Sequence, residues 1–172
     1  MLCTMNPRTY SLHPKPQAQL QTRSLPQFIQ PYAVTYAFNS QVKFAGTAGL
    51  KIHKLELDVA EMSLANNTKV QNHIKGVHAC GMALLAESAT GAVFGMNCPD
   101  TAIPLIRNMS IDYLKVAKGD LRAVAKLSEE ERNRIQTEEK GSIVVPVTVT
   151  DSEGKEPIKA SMQWAWVPKS RV

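Results

Sequence analysis

The sequence predicts an α+β fold: one curved antiparallel sheet wrapped around a single long central helix, with a short helix packed ahead of it. Three observations carry that expectation. Residues 79–94 are apolar on every side and rich in Ala, Leu and Gly, the composition of a helix enclosed by protein rather than lying on a surface. The segments on either side alternate polar and apolar residues with the period of two that marks strands. The order runs hairpin, helix, then about four strands, and one domain over residues 24–172 accommodates all of it.

Residues 1–23 read as a flexible basic leader. Between Leu25 and Phe44 scattered apolar residues, Phe28, Ile29, Tyr32, Val34, Tyr36 and Phe38, predict a short helix limited by Pro26 and Pro31. Leu50, Ile52, Leu55, Leu57 and Val59 form two alternating runs whose phase slips at His53 and Lys54, as a β-bulge produces. A second short strand, Glu61 to Leu64, completes a hairpin before a polar turn at Asn66 and Asn67. After the long helix, Arg107, Met109, Ile111 and Tyr113 alternate with polar residues, as do Leu121, Ala123, Ala125 and Leu127, and these read as neighbouring strands. Ser128 and Glu131 form a capping box for a solvated helix, Glu129 to Gln136. Ile143 to Val149 and Ile158 to Trp166, with the turn Asp151 to Lys155 between them, form the closing hairpin, with Trp164 and Trp166 in its packing.

The chain has 172 residues, 44 % hydrophobic and 20 % charged, within ordinary globular usage. Cys3, Cys80 and Cys98 are an odd count without paired spacing, so no disulfide framework or metal site is expected and a reducing compartment fits. The net charge of +5 lies at the N-terminus, where residues 1–55 hold six Lys or Arg and no acid. Its prolines break an amphipathic targeting helix, so a cytoplasmic protein is expected, with an organelle as the lesser alternative. No Lys/Arg cluster with interleaved aromatics points to nucleic acid, and the longest uncharged apolar run, Ala79 to Ala86, is too short to span a membrane.

Glu87 is out of place in its apolar helix, because burying a carboxylate unpaired raises its pKa or demands partners. That suits a general base or nucleophile, and equally a structural carboxylate. The segment before the helix, Val70 to Ala79, gathers Asn72, His73, Gly76 and His78 at a helix start, where the amides of Ala79 and Cys80 could hold an oxyanion. Asn72 could orient a water or hold a substrate carbonyl, and His78 could do the same or cap the helix. Cys80 reads as a buried structural thiol. A helix apolar all round is expected to gain its last cover from a second copy, hence a homodimer.

The frame N-x-x-x-G-x-H-A-C-x-x-x-x-L-A-E, carried by Asn72, Gly76, His78 and Glu87, resembles the active-site segment of hotdog-fold acyl-CoA thioesterases, the phenylacetate-pathway type being nearest. The longer pattern N-H-x-x-x-V-H-A…L-L-A-E-x-A-x-G is similar to a thioesterase-like hotdog branch known only as a domain of unknown function. The resemblance covers about residues 50–167. It implies an acyl-CoA (or acyl-carrier) thioesterase acting as a homodimer or dimer of dimers, with no cofactor beyond the coenzyme A of its substrate. Glu87 would be base or nucleophile, facing Asn72, His78 and the Ala79 amide of a partner chain. Gly76, His73 and Cys80 would line the substrate, and Arg107, Lys115 and Lys118 would meet its phosphates. Two positions depart from the family: Ala79-Cys80 replaces Gly-Gly, and Glu87 stands where Asp is commoner. An alternative within the fold is an enoyl-CoA hydratase or dehydratase, whose His and Glu lie fourteen apart, as do His73 and Glu87. The prolines that accompany that motif are absent at Lys75, His78 and Cys80, so hydrolysis is preferred. A non-catalytic acyl-CoA-binding dimer is the third reading.

Overall fold

The computed structural model describes residue 26 and residues 29–171; the expected leader lies outside them. Two helices precede the sheet where one was expected. Pro31 falls in the first turn of α1 (Gln30–Gln41), where a missing N–H has no intrahelical partner to lose, so proline starts this helix rather than limiting it. After Val42 a second helix, α2 (Lys43–Ala48), ends on Gly49, whose φ of 77° is the left-handed C-cap conformation that glycine adopts without strain.

Strands β1 (Lys51–Leu55) and β2 (Val59–Leu64) form the first hairpin, with the expected bulge between Ile52 and Lys54. The turn falls at Glu56–Asp58, closed by the Glu56 N–H on the Val59 carbonyl at 2.8 Å. Leu57 is therefore a turn residue, 46 % exposed, and Val59 belongs to the second strand; alternation alone runs on through a tight turn and hides it.

The long helix α3 (Ala79–Asn97) runs one residue short of a turn beyond the expected end at Phe94 and is buried throughout that part. It has the length and mean hydropathy of a membrane-crossing helix, yet 72 % of that stretch is buried inside the protein. The strands that bury it are β3 (Ala102–Tyr113), β4 (Leu121–Lys126), β5 (Gly141–Val145), β6 (Val147–Thr150) and β7 (Ile158–Pro168), with the capped helix α4 (Glu129–Thr137) inserted after β4. Both hydrogen bonds of the Ser128–Glu131 capping box form.

Strands pair in the orders β1-β2-β4-β6 and β3-β7-β5. β5 and β6 are one run of chain broken at Pro146, which has no N–H for the ladder, while its carbonyl still accepts from Lys126 at 3.1 Å. At that break the strand leaves β7 for β4, so the two halves join into one bent wall. β3 and β4 are not neighbours, contrary to the sequence reading: β3 is the edge strand beside β7, and β4 lies between β2 and β6. Alternation identifies the faces of a strand and leaves its partners open.

Inside the bend, Trp164 stacks on Phe94 with ring centroids 5.7 Å apart, and its Nε1 donates to Thr90 Oγ1 at 3.0 Å. Trp166 is fully buried and donates to the Glu138 carbonyl at 2.8 Å. A Cβ at Gly91 would sit 2.6 Å from Trp164 Cζ2, so this glycine lets the indole lie directly on the helix backbone. Gly91→Ala is expected to destabilise the fold by about 1–3 kcal/mol through overpacking. A urea midpoint equal to that of the wild type would show that the indole moves aside freely.

Candidate active site

The turn ahead of α3 is built by its own polar side chains. Asn72 Oδ1 accepts the N–H groups of Ile74 (3.0 Å) and Gly76 (3.1 Å), and the Asn72 N–H donates to the Gly76 carbonyl (2.8 Å). Lys75 is held at φ 62°, an unusual conformation for a residue with a side chain, and its carbonyl accepts from Asn66 Nδ2 (3.1 Å). The Asn66 N–H in turn donates to Asp120 Oδ1 (2.8 Å), which ties the turn to the β3–β4 connection. The Asn72 side-chain oxygen is thus engaged with the loop, and its Nδ2 group has no partner among the described residues.

His78 is the N-cap of α3. Its Nδ1 accepts the Cys80 N–H at 3.0 Å, which leaves Nε2 to carry the proton of the neutral ring. The His78 carbonyl accepts the N–H groups of Gly81 and Met82. Of the two amides expected to hold an oxyanion, that of Cys80 is therefore already taken. The Ala79 N–H has no partner among the described residues and stands at the positive end of a long helix. The cysteine side chain is exposed, correcting its reading as a buried thiol: beyond the first turn of α3, Ala83 and Glu87 continue from Cys80, at spacings of three and four, as an incompletely covered stripe.

Glu87 lies half-buried on that stripe. Burial pushes its carboxyl pKa up, and a long hydrogen bond from Ser88 Oγ at 3.5 Å opposes this only weakly. Eight residues separate it from Ala79, about 12 Å along the helix axis. Within one chain the carboxylate and the free amide are therefore too far apart to touch one atom. No hydrogen bond or ion pair among the described residues joins Glu87 to His73, which is exposed at the tip of the turn.

Tyr113, which the sequence reading placed only in a strand, reaches the site: its hydroxyl donates to the Ala79 carbonyl at 3.1 Å. Desolvation, and then the nearby Cys80 thiol, push its pKa up. The period-two pattern put it on the correct face of β3, and the pairing that brings this strand end to the helix start was the missing signal. The basic residues converge less well. Lys118 is paired with Glu153 at 2.9 Å, and Arg107 occupies the bulge of β3, six residues or about 20 Å from Tyr113. Lys115 is exposed just beyond that strand end.

A long apolar helix enclosed by a bent antiparallel sheet, with a polar turn at its start, defines the hotdog fold. The chain belongs to the family described as Domain of unknown function (DUF4442), whose profile matches residues 31–167. The structure is similar to that of a Pseudomonas aeruginosa protein of unknown function described as a probable thioesterase (TM-score 0.71, 22 % identity, 78 % of this chain and 93 % of that one). It is also similar to a Haemophilus influenzae thioesterase (TM-score 0.64, 11 % identity, 80 % and 90 % covered). A mutant thioesterase of Pseudomonas aeruginosa matches as well (TM-score 0.62, 17 % identity, 85 % and 97 % covered). At these identities the likeness is one of fold. No curated protein matches.

The cap on α3 separates two roles of His78. His78→Ala is expected to cost about 1 kcal/mol of stability by freeing the Cys80 amide, whereas His78→Asn keeps a capping oxygen and most of that stability. Chemical denaturation of the two variants side by side distinguishes a cap from an inert surface histidine, for which both would match the wild type.

Proposed function

We propose that the protein hydrolyses a thioester, acyl-CoA or an acyl-carrier conjugate, with Glu87 as general base and with each site shared between two copies of the chain. The observation that carries this reading is the Ala79 amide, without a partner among the described residues, beside a histidine cap at the start of a nineteen-residue helix that also carries a desolvated carboxylate.

The thioester carbonyl oxygen accepts from the Ala79 N–H, where the helix end favours the negative charge that develops there. The free Nδ2 of Asn72 and Nε2 of His78 are the further donors at this end. Glu87 of the opposite copy takes a proton from a water whose oxygen attacks the carbonyl carbon. The tetrahedral intermediate collapses with cleavage of the C–S bond, and the proton held by Glu87 passes to the departing thiolate, giving free acid and thiol. Coenzyme A enters as part of the substrate, and Lys115, which makes no ion pair among the described residues, is the cation we assign to it. The hydratase alternative is disfavoured by the absence, at Lys75, His78 and Cys80, of the prolines that accompany its motif.

The second copy is argued from what one chain leaves bare. Ile106, Met109 and Tyr113 lie opposite the core residues Trp164, Met162 and Ile158, so they share the helix-facing side of the sheet, yet they are 37 %, 49 % and 51 % exposed. Tyr113 meets the start of α3, and the outer edge of β3 has no strand partner among the described residues. An isologous contact through β3 covers both at once and brings each Glu87 toward the other copy's helix start.

Glu87→Gln is expected to abolish release of free thiol from acyl-CoA while the dimer persists; unchanged turnover would remove Glu87 from the mechanism. Stability should change in the opposite sense. Because folding raises the carboxyl pKa, the stability it contributes is present in acid and is lost as pH rises through that raised value. The glutamine variant should therefore melt higher than wild type at neutral pH, with the gap closing below the ordinary carboxylate range.

Mixing the inactive variants Glu87→Gln and His78→Ala tests the shared site directly. Subunit exchange should restore about a quarter of wild-type activity, because half the dimers are then hybrids with one intact site of two. A mixture that stays inactive while exchange is shown to occur would place both residues in one chain's site.

A further inference from the structure

Between α2 and the start of α3 lies a cleft of about 200 Å³. α2 contributes Phe44, Thr47 and Ala48 to its lining, and α3 contributes Cys80 and Leu84 with its N-cap His78. We infer that this cleft receives the acyl chain of the thioester, and that Phe44 and Thr47 set the chain length it accepts. The inference rests on the thioesterase reading of the same site, and three observations lead to it.

Position is the first. His78 and Cys80 flank Ala79 in sequence, so a carbonyl held on the Ala79 N–H has the cleft beside it. Chemistry is the second. Ala48 and Leu84 are 6 % and 8 % exposed and give the cleft an apolar base, and no acid lines it. Lys69 is the single cation there, which suits one polar rim rather than the several phosphates of a nucleotide. Lys115, beyond the end of β3, lies outside the lining, so the two arms of a thioester would leave the helix start in different directions. Size is the third. At roughly 30 Å³ for a unit the size of a water or methylene, the cleft holds about seven such units, a chain of six to eight carbons. The Phe44 ring, 62 % exposed in the free protein, would be covered by that chain.

The test measures calorimetric affinity of the full-length protein for S-alkyl-CoA thioethers from methyl to hexadecyl, alongside hydrolysis of the matching acyl-CoA esters. Affinity in the wild type should rise by up to about fourfold per methylene to six or eight carbons and then level off. Thr47→Trp should flatten that rise beyond two to four carbons, and Phe44→Ala should make it shallower. Both residues are exposed, and thermal melting confirms that the variants fold. If the chain-length profile of Thr47→Trp equals that of the wild type, the acyl chain lies elsewhere and the inference falls. If the profile responds as expected but no ester is hydrolysed, the cleft is an acyl site and only the hydrolase reading fails.

Discussion

Enclosure of one apolar helix is the constraint on which the rest of the structure depends. α3 is nineteen residues long, and from Leu84 to Asn97 only Glu87 escapes burial, so its backbone must be surrounded by side chains. A flat sheet covers one side of a helix and leaves the other wet. The chain bends its sheet instead. Pro146 interrupts one strand so that it serves both halves of the wall, and the bulges at Ile52/Lys54 and Ile106/Asn108 accommodate twist at the two outer strands. Gly91 then allows the wall to close onto the helix, with Trp164 in contact where a methyl group would not fit. Curvature, break and glycine all serve that enclosure.

Much of this was legible in the sequence because local physics wrote it. The helix was recognisable from composition, the first bulge from a phase slip, and the capping box from two residues three apart. What was illegible depended on distant partners. The turn at Glu56–Asp58 and the separation of β3 from β4 are pairing decisions, and period-two alternation is silent on pairing. Pro31 was misread for a different reason: proline opens a helix as readily as it breaks one, and only its place in the first turn decides which. In the site, the bonding of the loop side chains was foreseen only in part. Asn72 directs its acceptor atom to the backbone of its own turn, a short-range preference of Asn that the functional reading had passed over, whereas capping of the helix was one of the roles expected of His78.

That internal bonding is what shapes the site. A turn held by Asn72, anchored to Asp120 through Asn66, fixes the helix start without help from a ligand. Tyr113 secures the Ala79 carbonyl from the opposite side. With the neighbouring amide occupied by His78, the Ala79 N–H is left as a fixed donor aimed away from the helix. A donor held in place by the fold needs little reorganisation when charge develops beside it, which is the property that makes such a group useful in a transition state.

Glu87 stands in tension with the same constraint. The burial that protects the helix disfavours its charge, and one long bond from Ser88 returns little. On the proposed two-fold arrangement, the second copy covers the stripe that carries it and desolvates it further. Its pKa then moves closer to neutral pH, where a carboxylate is a stronger base than one that titrates in water. Assembly would therefore supply two things together: the amide that Glu87 cannot reach within its own chain, and the base strength that it lacks while the stripe is bare. A site arranged in this way would be completed by dimerisation, since the isolated chain keeps its carboxylate and the Ala79 amide about 12 Å apart.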